Sequence, residues 1–366
     1  MFTLLKTSEK SAARLGTLST NHGEVASPYF MTIATKGAVK TIGTDDMEKL
    51  GAPILLSNTY HLSLRPGTEV LIAAGGLHGL MGWNKPILTD SGGYQVLSLA
   101  SMRTIDDTGV VFRSHIDGSL QDLGPERSQE VQEAIGSDIA MILDDLVDFP
   151  VTKERVSLAV ARTTAWAVRQ KKWFAEHARP GRQLWGIVQG STDAALRRRA
   201  AEEMVALGFD GYAHGGLSVG EERSVSYDLV SMTSEILPAN QIRYFMGAGK
   251  PEEIVEYVRR GVDAFDCVLP SRNARHGTLY VWQSDNLLDP GFYALYHATN
   301  ESHRLEMTAV DPTCDCLLCT RYSRAYLRHL FTVEEPLAHR LATMHNVRFY
   351  LRLMERIRTM ISEGSL

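Results

Sequence analysis

Residues 186–216 read GIVQGSTDAALRRRAAEEMVALGFDGYAHGG, and the order of elements in them decides the fold class. GIVQG (186–190) is a short apolar run that ends on a polar residue and a glycine. DAALRRRAAEEMVALG (193–208) has helical periodicity and closes on glycine. GYAHGG (211–216) is again a short apolar run ending in a turn. Outward from this strand–helix–strand unit the pattern repeats. FMTIAT (30–35), ILLSN (54–58), ILTD (87–90) and IAMILDD (139–145) precede it, and YFMGAG (244–249) and AFDCVLP (264–270) follow. PERSQEVQEAIG (125–136) and KPEEIVEYVRRG (250–261) are further helices, each opened near its start by proline and closed by glycine. Eight strand-like runs alternating with helices predict an α/β chain folded as a (β/α)8 TIM barrel; an open doubly wound sheet is the alternative.

Two segments stand outside the alternation. LGTLSTNHGEVASPYF (15–30) reads as an N-terminal β-hairpin with Asn21-His22-Gly23 as its turn. Residues 280 to 345 hold three of the four cysteines and no βα unit, which predicts an inserted metal-bound subdomain. The expected organisation is a barrel with its hairpin (1–280), a zinc-binding subdomain (281–345) and a C-terminal helix packing back on the barrel (346–366).

The 366 residues exceed what one small core needs, and the α/β barrel, at about 250 residues before insertions, is the main exception to that size rule. With 44% hydrophobic and 22% charged residues, composition excludes a disordered chain. No apolar run approaches the roughly 18 residues of a membrane span, and MFTLLKTSEKSAARLG turns charged too soon for a signal-peptide core. A cytoplasmic protein is expected. The net charge of −5 gives no global pull toward nucleic acid. From Arg321 to Arg358, however, eight arginines face only Glu334, Glu335 and Glu355, which predicts a local basic face.

Asp90, Asp144, Gln189, His214 and Asp266 fall at or just before the C-terminal ends of predicted strands. In a barrel that end is the active-site face, where side chains from different strands converge. Any one of them could simply start a loop; five on different strands weaken that reading. Three carboxylates in one mouth suit acid/base or nucleophilic work on a centre such as an anomeric carbon.

Cys314-Asp-Cys316-Leu-Leu-Cys319 is too tight for disulfides and well spaced for a metal. Three thiolates and one imidazole, His345, would fill a tetrahedral zinc shell with no open position, so the zinc would be structural. His303, His329 and His339 are rival fourth ligands. In TDSGGYQVLSL (89–99) an aspartate precedes a Gly-Gly turn, and Tyr94 could stack on a base. Gly215-Gly216 forms a similar turn whose N–H groups suit a purine carbonyl. PSRNARHG (270–277) reads as a strand-end loop whose Arg272 and Arg275 could bind phosphates, or could be a solvated edge.

Together with NTYHLSLRPG (58–67), GGLHGLMGW (75–83), FRSHIDGS (112–119), GFDGYAHGGLSVGE (208–221) and FDCVLPSRNARHG (265–277), these motifs resemble bacterial-type tRNA-guanine transglycosylase, the queuine tRNA-ribosyltransferase family. They occur in the family's order and cover nearly the whole chain. The resemblance implies an enzyme that swaps guanine for a 7-deazaguanine base at the wobble position of tRNA with a GUN anticodon. Asp266 matches the family nucleophile and Asp90 its general acid/base. Asp144, Gln189, Gly216 and Leu217 match positions that bind the purine edge, and Tyr94 and Met246 those that sandwich it. Lys250, Arg272 and Arg275 match positions that hold the anticodon loop. Tyr322, Tyr326 and His329 match interface aromatics of a homodimer, or else belong to the subdomain core.

The chain departs from the pattern in places. Asp145 replaces a glutamate, Leu146 often a cysteine, His214 an aliphatic residue and Ser271 a threonine. Ser218 is eukaryote-like, whereas Val219 is bacterial-like where eukaryotic enzymes carry glycine. The implied incoming base is therefore 7-aminomethyl-7-deazaguanine, with queuine as the rival. Two other classes of function compete: a non-catalytic tRNA-binding subunit, disfavoured by the presence of both Asp90 and Asp266, and a carbohydrate-cleaving barrel, which leaves the cysteines unexplained.

Overall fold

The computed structural model describes residues 1–95 and 103–366. Three strands come first, β1 (Phe2–Thr7), β2 (Arg14–Thr20) and β3 (Gly23–Ser27), joined in an antiparallel sheet. The β2–β3 pair is the expected hairpin, turning at Asn21-His22; β1 is an added strand that the sequence pattern did not reveal.

Eight parallel strands then close on themselves: β4 (Tyr29–Ile33), β5 (Leu55–Ser57), β6 (Ile87–Thr89) and, after the small antiparallel sheet β7 (Arg103–Ile105), β8 (Val110–Arg113) and β9 (Leu120–Leu123), β10 (Ile139–Met141), β11 (Gln183–Val188), β12 (Gly211–His214), β13 (Ile242–Phe245) and β14 (Ala264–Cys267). The barrel closes where the last strand pairs with the first, β14 against β4, with Asp266 in register with Met31. All eight strands coincide with the apolar runs read from sequence. Every residue of β5, β6, β10, β11, β12 and β13 is buried, because a barrel strand is covered by core on one side and helices on the other.

The helices begin and end where local chemistry dictates. Pro125 opens Pro125–Ile135 and Gly136, at φ 71°, closes it in the left-handed region. Asp193 caps Ala194–Leu207 by accepting the Leu196 N–H at 2.9 Å. After β14 the outer helix expected next is delayed. A short helix, Leu269–Arg275, is followed by the hairpin β15 (Thr278–Trp282)–β16 (Tyr293–His297) and by helices Leu317–Arg321 and Arg324–Thr332. Only then does the 28-residue helix Pro336–Glu363 arrive, carrying His345 and continuing unbroken over the barrel. Its residues Phe349, Tyr350, Leu353 and Ile357 share a core with Phe30, Phe245 and Phe265 of the barrel strands.

The N-terminal sheet is fastened to the barrel by a buried aspartate. Asp138 lies within 2.7 Å of the His22 ring and 3.3 Å of the His78 ring and accepts the Ile87 N–H at 2.9 Å. The two imidazoles stack with centroids 3.7 Å apart and planes 14° from parallel. Lone pairs lying in two such parallel planes do not converge on one ion, so this group is a hydrogen-bonded staple. No helix among the described residues is long and apolar enough to cross a membrane.

Candidate active site and metal cluster

Side chains alternate along a strand, so phase decides what reaches the barrel mouth. Tyr244 and Asp266 point inward and touch: the Tyr244 hydroxyl donates to Asp266 Oδ1 at 2.5 Å, and the Gly247 N–H donates to the same oxygen at 2.9 Å. No hydrogen bond reaches Asp266 Oδ2 among the described residues. Burial raises the pKa of Asp266 above the ordinary carboxylate value, opposed by those two donors.

Asp90 follows β6 and is held by three donors. The Thr59 N–H reaches Oδ1 at 3.0 Å, the Gly92 N–H reaches it at 3.2 Å, and the Asn58 amide donates to Oδ2. Asn58 in turn caps helix Thr59–Leu64. Burial outweighs these donors and, with the nearby Asp266 charge, pushes Asp90 up to about 7. Asp144, beyond β10, takes a hydrogen bond from Gln189 Nε2 at 2.5 Å and a longer one from Ser91 Oγ at 3.4 Å. Burial and the adjacent Asp145 raise it to about 6. Gly216, at φ 64°, brings backbone up to Gln189: a Cβ there would sit 2.4 Å from Oε1. Leu146 lines the same recess with Gly93 and Asp144. Tyr94, at 58% exposure, stands free after the Gly-Gly turn; residues 96–99 of that motif lie outside the described residues.

His214 departs from the strand-end expectation. It pairs in register with Phe245, and Phe245 stacks at 4.0 Å on Tyr257 of helix Pro251–Arg259. The imidazole therefore faces the outer helices rather than the mouth. Both ring nitrogens are buried without partners among the described residues, and burial, then the Arg197 and Arg243 charges, holds its pKa well below 6.5. Asp145 also turns away, into a buried ion pair with Arg155 at 2.6 Å and Arg162 at 2.7 Å.

The expected basic face between Arg321 and Arg358 is mostly spoken for. Arg324 pairs with Glu306, Arg328 with Glu301, Arg340 with Asp46 and Arg348 with Asp315 and Glu355, while Arg358 donates to the Pro28 carbonyl at 2.7 Å. Lys250 and Arg272 are exposed instead, and no carboxylate pairs with either among the described residues. Arg272 and Arg275 lie on helix Leu269–Arg275 rather than on a loop, three residues apart and hence on one face.

Cys314, Cys316, Cys319 and His345 form one group, all four ligand atoms within 4.8 Å of one another. His345 Nδ1 lies 3.6 Å from Cys316 Sγ and 3.2 Å from Cys319 Sγ. A tetrahedral ion with metal–sulfur and metal–nitrogen bonds of about 2.3 and 2.0 Å would separate such atoms by about 3.5 Å. The other ring nitrogen, Nε2, lies 2.7 Å from the Tyr280 carbonyl, which fixes Nε2 as the protonated one and leaves Nδ1 free for a metal. Among the described residues none of His303, His329 and His339 joins the group. The four residues can hold one metal ion and offer it no vacant protein-free side. The cysteines pack on Leu318, Leu327, Leu330 and Leu341.

Sequence reading missed Asn58 and Tyr244. Tyr244 was accessible by parity, two residues before Met246, which follows the strand; Asn58 was accessible as the cap preceding a helix.

Buried carboxylates with raised pKa values, gathered at the C-terminal rim of a parallel barrel, are the arrangement of an enzyme active site. The family described as queuine tRNA-ribosyltransferase matches residues 8–366. The chain is 47% identical over 365 residues to the queuine tRNA-ribosyltransferase of Moorella thermoacetica, covering 100% of this chain and 94% of that protein. It is 45% identical to that of Halothermothrix orenii, over 100% of this chain and 94% of the relative. For Symbiobacterium thermophilum the identity is 47%, over 99% of this chain and 88% of the relative. The chain belongs to the queuine tRNA-ribosyltransferase family, and it is an enzyme of that family.

Proposed function

We propose that this enzyme exchanges guanine at the wobble position of tRNA bearing a GUN anticodon for a free 7-deazaguanine base, through a covalent aspartyl-ribose intermediate. The observation that carries the reading is the asymmetry of Asp266, one oxygen anchored by Tyr244 and Gly247 and the other without a partner among the described residues. Oδ2 attacks C1′ of the ribose, the C1′–N9 bond breaks, and its electron pair leaves on guanine, which takes a proton from Asp90. The incoming base returns a proton to Asp90, its N9 attacks C1′, and the Asp266–C1′ bond breaks. Asp144 accepts from the purine N–H edge, Gln189 and the Gly216 N–H donate to its carbonyl, Leu217 backs that turn, and Tyr94 and Met246 cover the ring faces. Lys250, Arg272 and Arg275 hold anticodon-loop phosphates. One zinc ion in the Cys314, Cys316, Cys319 and His345 site stabilises the fold and takes no part in these steps. Two copies pair through Tyr322, Tyr326 and His329. Incubation with tRNA and radiolabelled guanine tests the core claim: labelled tRNA supports it, and binding without label incorporation rejects it in favour of a non-catalytic subunit.

Asp90 is protonated below its pKa of about 7 and can then donate to the leaving base; above it the proton is gone. Guanine release is therefore expected to fall about tenfold per pH unit above 7, and to fall again in acid as Asp266, its pKa raised by burial, takes up a proton. A single-turnover pH profile reads this directly. Release that accelerates between pH 7 and 8 would give the proton donation to another group.

The favoured incoming base is 7-aminomethyl-7-deazaguanine. Val219 lies in the turn after Gly216, its N–H tied to Glu221 Oε2 at 3.0 Å, so its branched side chain has little freedom to move aside. Fitting queuine's added ring against it would cost about 1–3 kcal/mol, or roughly 5- to 150-fold in affinity. Competition of the two bases against labelled guanine should favour the aminomethyl base, and Val219→Gly should narrow the gap. A preference for queuine that Val219→Gly leaves unchanged rejects the assignment.

A further inference from the structure

Arg197, on helix Ala194–Leu207, is fully buried, and no carboxylate pairs with it among the described residues. Its guanidinium donates only to backbone carbonyls. Nε and Nη2 reach the Ser191 carbonyl at 3.1 and 3.0 Å, Nη2 also reaches that of Gly215 at 2.9 Å, and Nη1 that of Val188 at 3.4 Å. Burial lowers its pKa to about 10, opposed by the Glu221 charge, so it stays charged at neutral pH. Burying a cation without a counter-charge is costly, and the carbonyls that offset the cost belong to two strand-end turns. One turn, after β11, carries Gln189; the other, after β12, carries Gly216.

Gly215 and Gly216 share one peptide group. In a trans peptide the carbonyl and the following N–H point in opposite directions. With the Gly215 carbonyl held on the buried guanidinium, the Gly216 N–H must point away from it. That N–H donates to no protein group among the described residues. The helix that carries the arginine is fitted just as closely: Gly190 has φ 129°, and a Cβ there would lie 2.6 Å from Arg197 Cα.

We infer that Arg197 is a positioning residue for the base pocket, locking the Gly215–Gly216 peptide so that its N–H is presented to the 6-carbonyl of the purine. The inference rests on the proposed reading of that N–H as a base-binding donor. It predicts a loss confined to bases that carry the carbonyl.

The test compares inhibition constants of free guanine and of 2-aminopurine, which lacks the 6-oxygen, in Arg197→Lys and Arg197→Gln, with tRNA affinity measured alongside. Arg197→Lys keeps the charge and the aliphatic stem but loses the forked donors, and so reads the same contact should Arg197→Gln fail to fold. Guanine is expected to weaken about tenfold, the size of one lost hydrogen bond, with 2-aminopurine and tRNA within twofold of wild type. Equal weakening of both bases would make Arg197 a general structural residue and overturn the inference, as would unchanged guanine binding. Gln189→Leu in the same assay separates the two levels. If it leaves guanine binding unaltered, the base pocket itself has been misplaced; if it weakens guanine while the Arg197 variants do not, only the role of Arg197 fails.

Discussion

Asp266→Asn is expected to abolish base exchange, by at least about 10⁴-fold, equivalent to about 5.5 kcal/mol of transition-state stabilisation. The amide can keep the hydrogen bonds from the Tyr244 hydroxyl and the Gly247 N–H through its own oxygen, so the fold should survive. What it loses is the charge and the free electron pair on Oδ2. A denaturing gel of enzyme mixed with tRNA should therefore show a protein–tRNA band for the wild type and none for the variant. Persistence of that band would remove Asp266 from the nucleophile's place. Asp90→Asn is expected to behave differently, retaining an adduct that accumulates slowly and is poorly captured by free base. Indistinguishable behaviour of the two variants would mean that the roles of the two carboxylates are shared rather than divided.

The positions of these carboxylates could be read before the structure because a parallel barrel imposes a rule on sequence: short apolar runs mark the strands, and the polar residue ending each run sits at the mouth. The rule gives position along the strand but not side. His214 obeys it in sequence and breaks it in space, since its register with Phe245 turns both outward. Periodicity within one four-residue strand cannot show which face meets the helices; that depends on neighbouring strands. The arginines of 321–358 were misread for a related reason. Charge along a helix is visible in sequence, but its partners, Glu301, Asp46 and Asp315, come from other segments, and pairing turns an apparent binding face into a set of fastenings. Arg197 went unnoticed because a lone arginine in an arginine-rich helix, RRR at 197–199, looks solvated. Only its burial, and the carbonyls around it, separate it from Arg198 and Arg199.

The second large effect is expected on stability. Cys316→Ala should abolish binding of one metal ion at the cluster and lower the melting temperature on the order of 10 °C, corresponding to several kcal/mol in a chain of this size. The cluster joins the turn at 314–319 to the helix Pro336–Glu363, and it sits within an apolar core that includes Leu318, Leu327, Leu341 and Met344, so a metal ion held there would tie the two segments at the centre of their packing. The imidazole of His345 is already oriented by the Tyr280 carbonyl at 2.7 Å, and Arg348, one turn further along the helix, clamps Asp315 from within the cysteine run at 2.6 Å. Loss of one thiolate therefore leaves a prearranged but incomplete shell, with buried sulfur and nitrogen atoms facing each other and no ion between them. The destabilisation should propagate along Pro336–Glu363 to its barrel contacts at Phe349 and Tyr350, while the raised carboxylates at the mouth stay in place. Elemental analysis, thermal melting and single-turnover guanine release, measured on the same preparation, separate the possibilities. Stoichiometric zinc in the wild type, its loss in the variant, a lowered melting temperature and a near-normal rate well below that temperature are the expected results. A wild-type protein without stoichiometric zinc would refute the structural-metal assignment, and a variant that keeps metal and melting temperature but loses rate would assign the ion to chemistry instead.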